Sequence, residues 1–359
     1  MAAALAIGAV PLRSIEAQPP GSVSDWVEDP LLRNGFWSRT HTFRDDYDGP
    51  VTATVIRRPL VRSKACAVLY LHGYVDYFFQ TELAAFYQDT LARPGVGRGC
   101  DFFAIDLRKY GRSFPFGYRF PNFAKSLNEY YPEISAALEM IHADGYDWVL
   151  LNGHSTGALV AARYLQDGPH REWVKAAFFN SPFLDFNHLH VKDPEAWFAK
   201  RIWWISPHHE SRSPVSPWYA RSLLRFSASC HDCHGRWDFD TRLKDLDGFP
   251  VFLGWVRAIA QAHDRVRKGG ITQPILILHS ARSDNGAGTV WRDEFRGADL
   301  VLDVTDMQTE GPKLGAHVRI RPIEGGVHDL VLSDPVPQAQ VFREVTEWLG
   351  TLPGGPVGP

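Results

Sequence analysis

Cysteine is scarce: four in 359 residues, too few to staple a chain of this length, so a packed apolar core must hold it together. Apolar runs long enough to cross a bilayer as a helix are missing. So are basic tracts, and with a formal net charge of −3 nucleic acid is not expected as a partner. Internal repeats are not visible. The apolar start, Met1 to Pro11, carries no Lys or Arg before Arg13, unlike a secretory leader. Residues 1–35 therefore read as a loose arm, and the expected location is cytoplasmic, with secretion the lesser alternative. The cysteines are Cys66, Cys100, Cys230 and Cys233. Cys230-x-x-Cys233, beside His231 and His234, is half of a zinc site without a second half, so its expected role is local packing. No metal or other cofactor is expected.

What is present is an ordinary globular composition, 45% hydrophobic and 22% charged, in a chain long enough for one large domain with an insertion or for two domains. Strand and helix patterns alternate. Ser38–Phe43 and Val51–Arg57 read as two strands joined by a turn. Ala65–Leu71, Asp101–Ile105, Trp148–Asn152, Val174–Phe179, Pro274–Leu278 and Val318–Pro322 read as further strands, several of them continuously apolar as in a sheet buried on both faces. Helices are expected over about Phe79–Leu91, Leu127–Ile141, Ala158–Gln166, Asp306–Leu314 and Pro337–Leu349. Eight strands separated by helices predict a mainly parallel α/β sheet covered on both faces. The core is expected over residues 36–182 and 251–352, with 353–359 a flexible tail. From about Phe183 to Pro250 the alternation stops. Five of the twelve tryptophans lie there (Trp197, Trp203, Trp204, Trp218 and Trp237), with Trp255 just beyond. Residues 183–250 therefore read as an inserted cap above the sheet.

Gly153-His154-Ser155-Thr156-Gly157 follows a strand pattern and precedes a helix pattern. Gly-x-Ser-x-Gly in that setting is a nucleophile elbow: a tight turn that lifts the serine hydroxyl clear of the sheet. Gly153 and Gly157 are required because a Cβ there would strike neighbouring backbone. A serine hydroxyl needs a base, and the base needs an orienting acid. His328, in Gly325-Gly326-Val327-His328-Asp329 after the last strand, is the candidate base. For the acid, short connection length favours Asp284, and an acid followed by apolar residues and a helix start favours Asp299; Asp303 and Asp185 are remoter alternatives. The oxyanion of an acyl intermediate needs two amide donors. Thr156 follows the nucleophile at a helix start, and Tyr74 follows Leu71-His72-Gly73 after the first buried strand.

Together with Asp106-Leu-Arg-Lys-Tyr-Gly-Arg-Ser113 and Asn180-Ser-Pro-Phe-Leu184, these residues resemble the α/β-hydrolase superfamily over roughly Arg39 to Gly350. They are most similar to its monoacylglycerol lipase-like and lysophospholipase-like branch, also grouped as serine aminopeptidase-type domains. The resemblance implies Ser155 as nucleophile, His328 as base, and structural roles for Asp106 and Arg108. Lys109 stands where the family pattern Asp-x-Arg-Gly-x-Gly-x-Ser has its first glycine. Gly297-Ala-Asp299-Leu-Val-Leu-Asp303 resembles Gly-x-x-Asp-x-x-x-Asp, which raises Asp299 over Asp284. The leading expectation is a serine hydrolase cleaving a small-molecule carboxylic ester with an apolar acyl or aromatic group, without stable membrane insertion. The alternatives are the same triad acting on peptide, thioester or carbon–carbon bonds or in acyl transfer, and a non-catalytic ligand receptor on the same fold.

Overall fold

The computed structural model describes residues 21–58, 66–114, 119–186, 206–211 and 216–358. Its strands are β1 (Val27–Glu28), β2 (Trp37–Asp46), β3 (Gly49–Arg57), β4 (Ala67–Leu71), β5 (Asp101–Asp106), β6 (Val149–His154), β7 (Val174–Asn180), β8 (Glu210–Ser211), β9 (Val251–Phe252), β10 (Ile275–Ser280) and β11 (Val318–Ile323). The helices are α1 (Thr81–Ala85), α2 (Tyr131–Ala143), α3 (Thr156–Asp167), α4 (Trp218–Leu223), α5 (Leu253–Val266), α6 (Val304–Glu310) and α7 (Pro335–Leu349). The main sheet runs β1-β2-β3-β5-β4-β6-β7-β10-β11. Pairings from β1 through β3 to β5 are antiparallel and the rest are parallel. This is the expected architecture with one more strand. The added one is the two-residue β1, too short to announce itself by alternation.

Period-two geometry explains the continuous apolar runs. In β4, Ala67, Leu69 and Leu71 join the core on one side of the sheet, and Val68 and Tyr70 join the core on the other. The helix expected from Phe79 is shorter, with α1 passing into a π-helical turn at Phe86–Thr90. The helix expected from Leu127 opens as a 3₁₀ turn and becomes α-helical at Tyr131, where Pro132 lacks the N–H that an uninterrupted helix would use. Among the described residues no helix is long and apolar enough to cross a membrane.

Three expectations need amendment. The arm is not loose from Gly21 onward: β1 pairs with β2, and buried Asp29 accepts from Arg112 Nε and Nη2 at 2.6 and 2.8 Å. Residues 1–20 lie outside the described residues. The Gly/Pro tail packs back on the body. Arg98 N–H donates to Pro356 O at 2.9 Å, and Val357 bridges Gly97, because proline fixes its backbone rather than freeing it. All four cysteines are paired, Cys66 with Cys100 and Cys230 with Cys233. In that state neither sulfur of the Cys-x-x-Cys offers a thiolate to a metal.

Within the stretch read as a cap, Trp197, Trp203, Trp204, His188 and His190 lie outside the described residues. Of the rest, β8 pairs with β9, and Trp237 Nε1 donates to Leu332 O at 2.6 Å, tying this segment to the body. Helix α5 returns the chain to the core and carries His263. Its Nε2–H donates to Phe183 O at 3.0 Å, while its buried Nδ1 meets no partner among the described residues. Burial, opposed by that hydrogen bond, pulls the imidazole pKa from 6.5 down to about 4. The unfolded chain therefore binds a proton from about pH 6.5 downward, and the folded chain only near pH 4. This contribution to stability is complete above pH 6.5 and is lost as pH falls toward 4, by up to about 3 kcal/mol. His263→Gln, which keeps a donor for Phe183 O, is expected to flatten the decline of Tm between about pH 7 and 4.5. A decline as steep as in the unsubstituted protein would refute this.

Candidate active site

Parallel strands end together, so the loops after β4, β6, β10 and β11 gather at one end of the sheet. Ser155 stands between β6 and α3 at φ +53°, ψ −120°, a strained backbone for a residue with a side chain. Its amide donates to Asn180 O at 2.9 Å. A Cβ at Gly157 would lie 2.2 Å from His72 O, and one at Gly153 would lie 2.5 Å from the Ala158 Cα. Both glycines are thus demanded by close backbone approach.

His328, after β11, brings Nε2 to 2.9 Å from Ser155 Oγ. Its Nδ1 lies 2.7 Å from Asp299 Oδ2. Ser155, His328 and Asp299 are all buried. Asp299 Oδ1 accepts from Val301 N–H and Leu302 N–H, both at 2.8 Å, so the carboxylate cannot swing. Among the described residues the other candidate acids are bonded elsewhere than to the histidine. Asp284 accepts from Arg292 Nη2 at 2.9 Å and from Gly286 N–H at 2.9 Å. Asp303 caps α6 through Thr305 N–H, and Asp185 pairs with Arg267 at 2.7 Å. The segment after β10 doubles back: Ser283 bridges Asp299, and the Asp284 amide donates to Asp299 O at 2.9 Å. Asp299 therefore ends beside the strand end despite its distance along the chain.

Thr156 begins α3, so its amide has no intrahelical acceptor and the helix dipole favours negative charge there. A Cβ on Gly73 would sit 3.1 Å from Ser155 Cβ, so the loop carrying Tyr74 lies directly against the elbow. The Tyr74 ring packs 4.3 Å from that of Trp255, and the Tyr219 ring lies edge-on 5.3 Å from His328. Aromatic rings thus stand on the loop against the elbow and beside His328.

The segment after β5 buttresses these loops. Asp106 accepts from Phe78 N–H at 2.8 Å and from Arg112 Nη1 at 2.8 Å, and Arg108 pairs with Glu133. Lys109 has φ +63°, the left-handed conformation that favours glycine at this position of the pattern. Its ammonium lies 2.9 Å from Asp46 and 2.5 Å from Asp48.

Sequence reasoning did not single out a second buried set behind the serine. One donor atom each of Asp76, His154 and Asp329 lie within 4.8 Å of one another. Lys244 already supplies positive charge there, its Nζ 3.1 Å from Asp76. Asp329 is satisfied by Gln80 Nε2, Asn180 Nδ2 and the Val331 amide at 3.0, 2.7 and 3.2 Å. His154 is held below its usual pKa chiefly by burial, although Asp329 works in the opposite direction. The adjacency of His154 to Ser155 and of Asp329 to His328 was the available signal.

The sequence profile of the family described as "Serine aminopeptidase, S33" matches residues 63–285. No curated protein sequence matches the chain. Among solved structures, a carboxyl esterase from Bacillus coagulans superposes with TM-score 0.59 at 12% identity, covering 88% of this chain and 98% of that one. A monoglyceride lipase from Saccharomyces cerevisiae gives 0.57 at 13%, covering 86% and 94%. A monoacylglycerol lipase from Paleococcus ferrophilus gives 0.57 at 16%, covering 82% and 97%. At these identities the likeness is one of fold.

Proposed function

Because this chain belongs to the serine aminopeptidase S33 family of α/β-hydrolases, we propose that it hydrolyses carboxylic esters of small molecules through an acyl-enzyme on Ser155. The observation that carries this reading is the unbroken chain from Ser155 Oγ through His328 to Asp299, at 2.9 and 2.7 Å. Ser155 attacks the acyl carbonyl as its proton passes to His328 Nε2, and Asp299 stabilises the imidazolium through the Nδ1–H. The Tyr74 and Thr156 amides hold the oxyanion. His328 returns the proton to the departing alkoxide. Water, activated by the same imidazole, then attacks the acyl carbonyl, releases the acid and restores the serine. Tyr74, Trp255 and Tyr219 favour an apolar acyl or aromatic ester. The four paired cysteines favour an oxidising compartment over the cytoplasm.

The test is a panel of nitrophenyl esters of increasing acyl length, with and without prior treatment by a fluorophosphonate. Turnover that disappears in proportion to labelling of one serine is expected. Amide, thioester or acyl-transfer turnover in place of ester turnover would keep the triad and change the bond. A folded protein that neither turns over nor labels would favour the receptor reading and refute this one.

A further inference from the structure

The loop that presents the Tyr74 amide is strained and is held from outside. Val75 has φ +50°, a conformation that β-branched residues avoid. Beyond the buttress from the segment after β5, four contacts from one segment, residues 239–250, hold it. Tyr74 Oη donates to Pro250 O at 3.0 Å. Lys244 Nζ donates to Asp76 Oδ1 at 3.1 Å, with both side chains almost wholly buried. The Asp240 amide donates to Tyr77 Oη at 2.8 Å. The Phe239 ring packs 5.3 Å from that of Phe79. The anchors at Tyr74 and Asp76 flank Val75 on both sides.

We propose that residues 239–250 clamp the loop after β4 in its oxyanion-binding conformation, with Lys244 as the positioning residue. The inference rests on the proposed function for its kinetic consequence, not for the clamp itself. The charge arrangement selects Lys244 as the decisive contact. Asp329, close to Asp76, has three hydrogen-bond donors of its own. Asp76 Oδ2 has no partner among the described residues, and Lys244 is the cation paired with its Oδ1. Without the ammonium, the Asp76 carboxylate stays buried beside a second carboxylate with its ion pair gone, which drives it to turn toward water. Turning out would carry Val75 and the Tyr74 amide with it. Lys244 also sits 5.3 Å from the centre of the Tyr219 ring, which borders His328.

The experiment compares the unsubstituted protein with Lys244→Met and with the double variant Asp76→Asn/Lys244→Met, which leaves no unpaired buried charge if the single variant does not fold. Hydrogen exchange over residues 73–79 is expected to accelerate at least tenfold while exchange in β10 stays unchanged. Equal exchange in the loop overturns the clamp whatever the protein catalyses. In ester hydrolysis, kcat is expected to fall by about 100-fold or more, the scale of losing one oxyanion donor, with KM within about threefold. A full kcat together with a lowered Tm would reduce the ion pair to a brace and overturn its positioning role. Absence of ester turnover in the unsubstituted protein would count against the proposed function and leave the exchange result to decide the clamp.

Discussion

Replacing Ser155 by alanine is expected to lower kcat for ester hydrolysis by about 10⁴- to 10⁶-fold while Tm changes little. The chemical half follows from what remains. With the hydroxyl gone, His328 has no nucleophile 2.9 Å from Nε2, and only residual catalysis by the oxyanion donors and by substrate binding persists. The structural half follows from the backbone. The turn is held by the Ser155 amide bonded to Asn180 O, and by Gly153 and Gly157 fitting where a Cβ would collide. None of these involves the hydroxyl. Alanine is no worse than serine at φ +53°, since both carry a Cβ. The buried Oγ does lose its bond to His328, a loss of about 1 kcal/mol on the usual scale of a hydrogen bond. Circular dichroism, a thermal melt and initial rates on the best ester of the panel check the prediction together. A variant that keeps a tenth of the activity would move the nucleophile elsewhere, and mass mapping of the fluorophosphonate adduct would show where.

The sheet was readable because its evidence is local. Each buried strand is a continuous apolar run bounded by turn residues, and Val149–His154 followed at once by Thr156–Asp167 leaves little choice but a strand, a tight turn and a helix. Short β1 was not readable, because two residues carry no period. The candidate site divides in the same way. Ser155 sits in a contiguous motif, and His328 lies in the loop where chain order puts a base. The acid stayed open because loop length and local pattern pointed to different residues, and only the folding back of residues 281–298 brings Asp299 to the histidine. Lys244 was invisible for a stronger reason. Its partner Asp76 lies 168 residues away, and nothing in the sequence near either residue signals the other. Lys109 shows the converse. It breaks the glycine pattern in the sequence, yet keeps a glycine-like φ, with its backbone bonded to Ser113 and Asn122 and its ammonium beside two aspartates.

Asp299→Asn is expected to cut kcat by about 10³- to 10⁴-fold, and Asp284→Asn to change it less than about threefold. The asymmetry comes from the fixed orientation of the carboxylate. Asp299 Oδ1 faces two backbone N–H donors, from Val301 and Leu302. An asparagine must keep its carbonyl oxygen there, since an NH₂ group facing two donors would leave all of them unsatisfied in a buried site. Its NH₂ group is then forced toward His328 Nδ1, 2.7 Å from where Oδ2 stood. Nδ1 must accept, so the ring proton moves to Nε2 and points at Ser155 Oγ. In that tautomer the imidazole cannot take the serine proton, although every heavy atom stays in place. Asp284 has no such lever: its carboxylate binds Arg292 and the Gly286 amide, and its side chain is partly exposed. The losses should appear in kcat with KM nearly constant, because neither substitution replaces Tyr74, Trp255 or Tyr219. Equal losses in the two variants, or full activity in Asp299→Asn, would transfer the role of the acid to another residue and leave the 2.7 Å contact as packing alone.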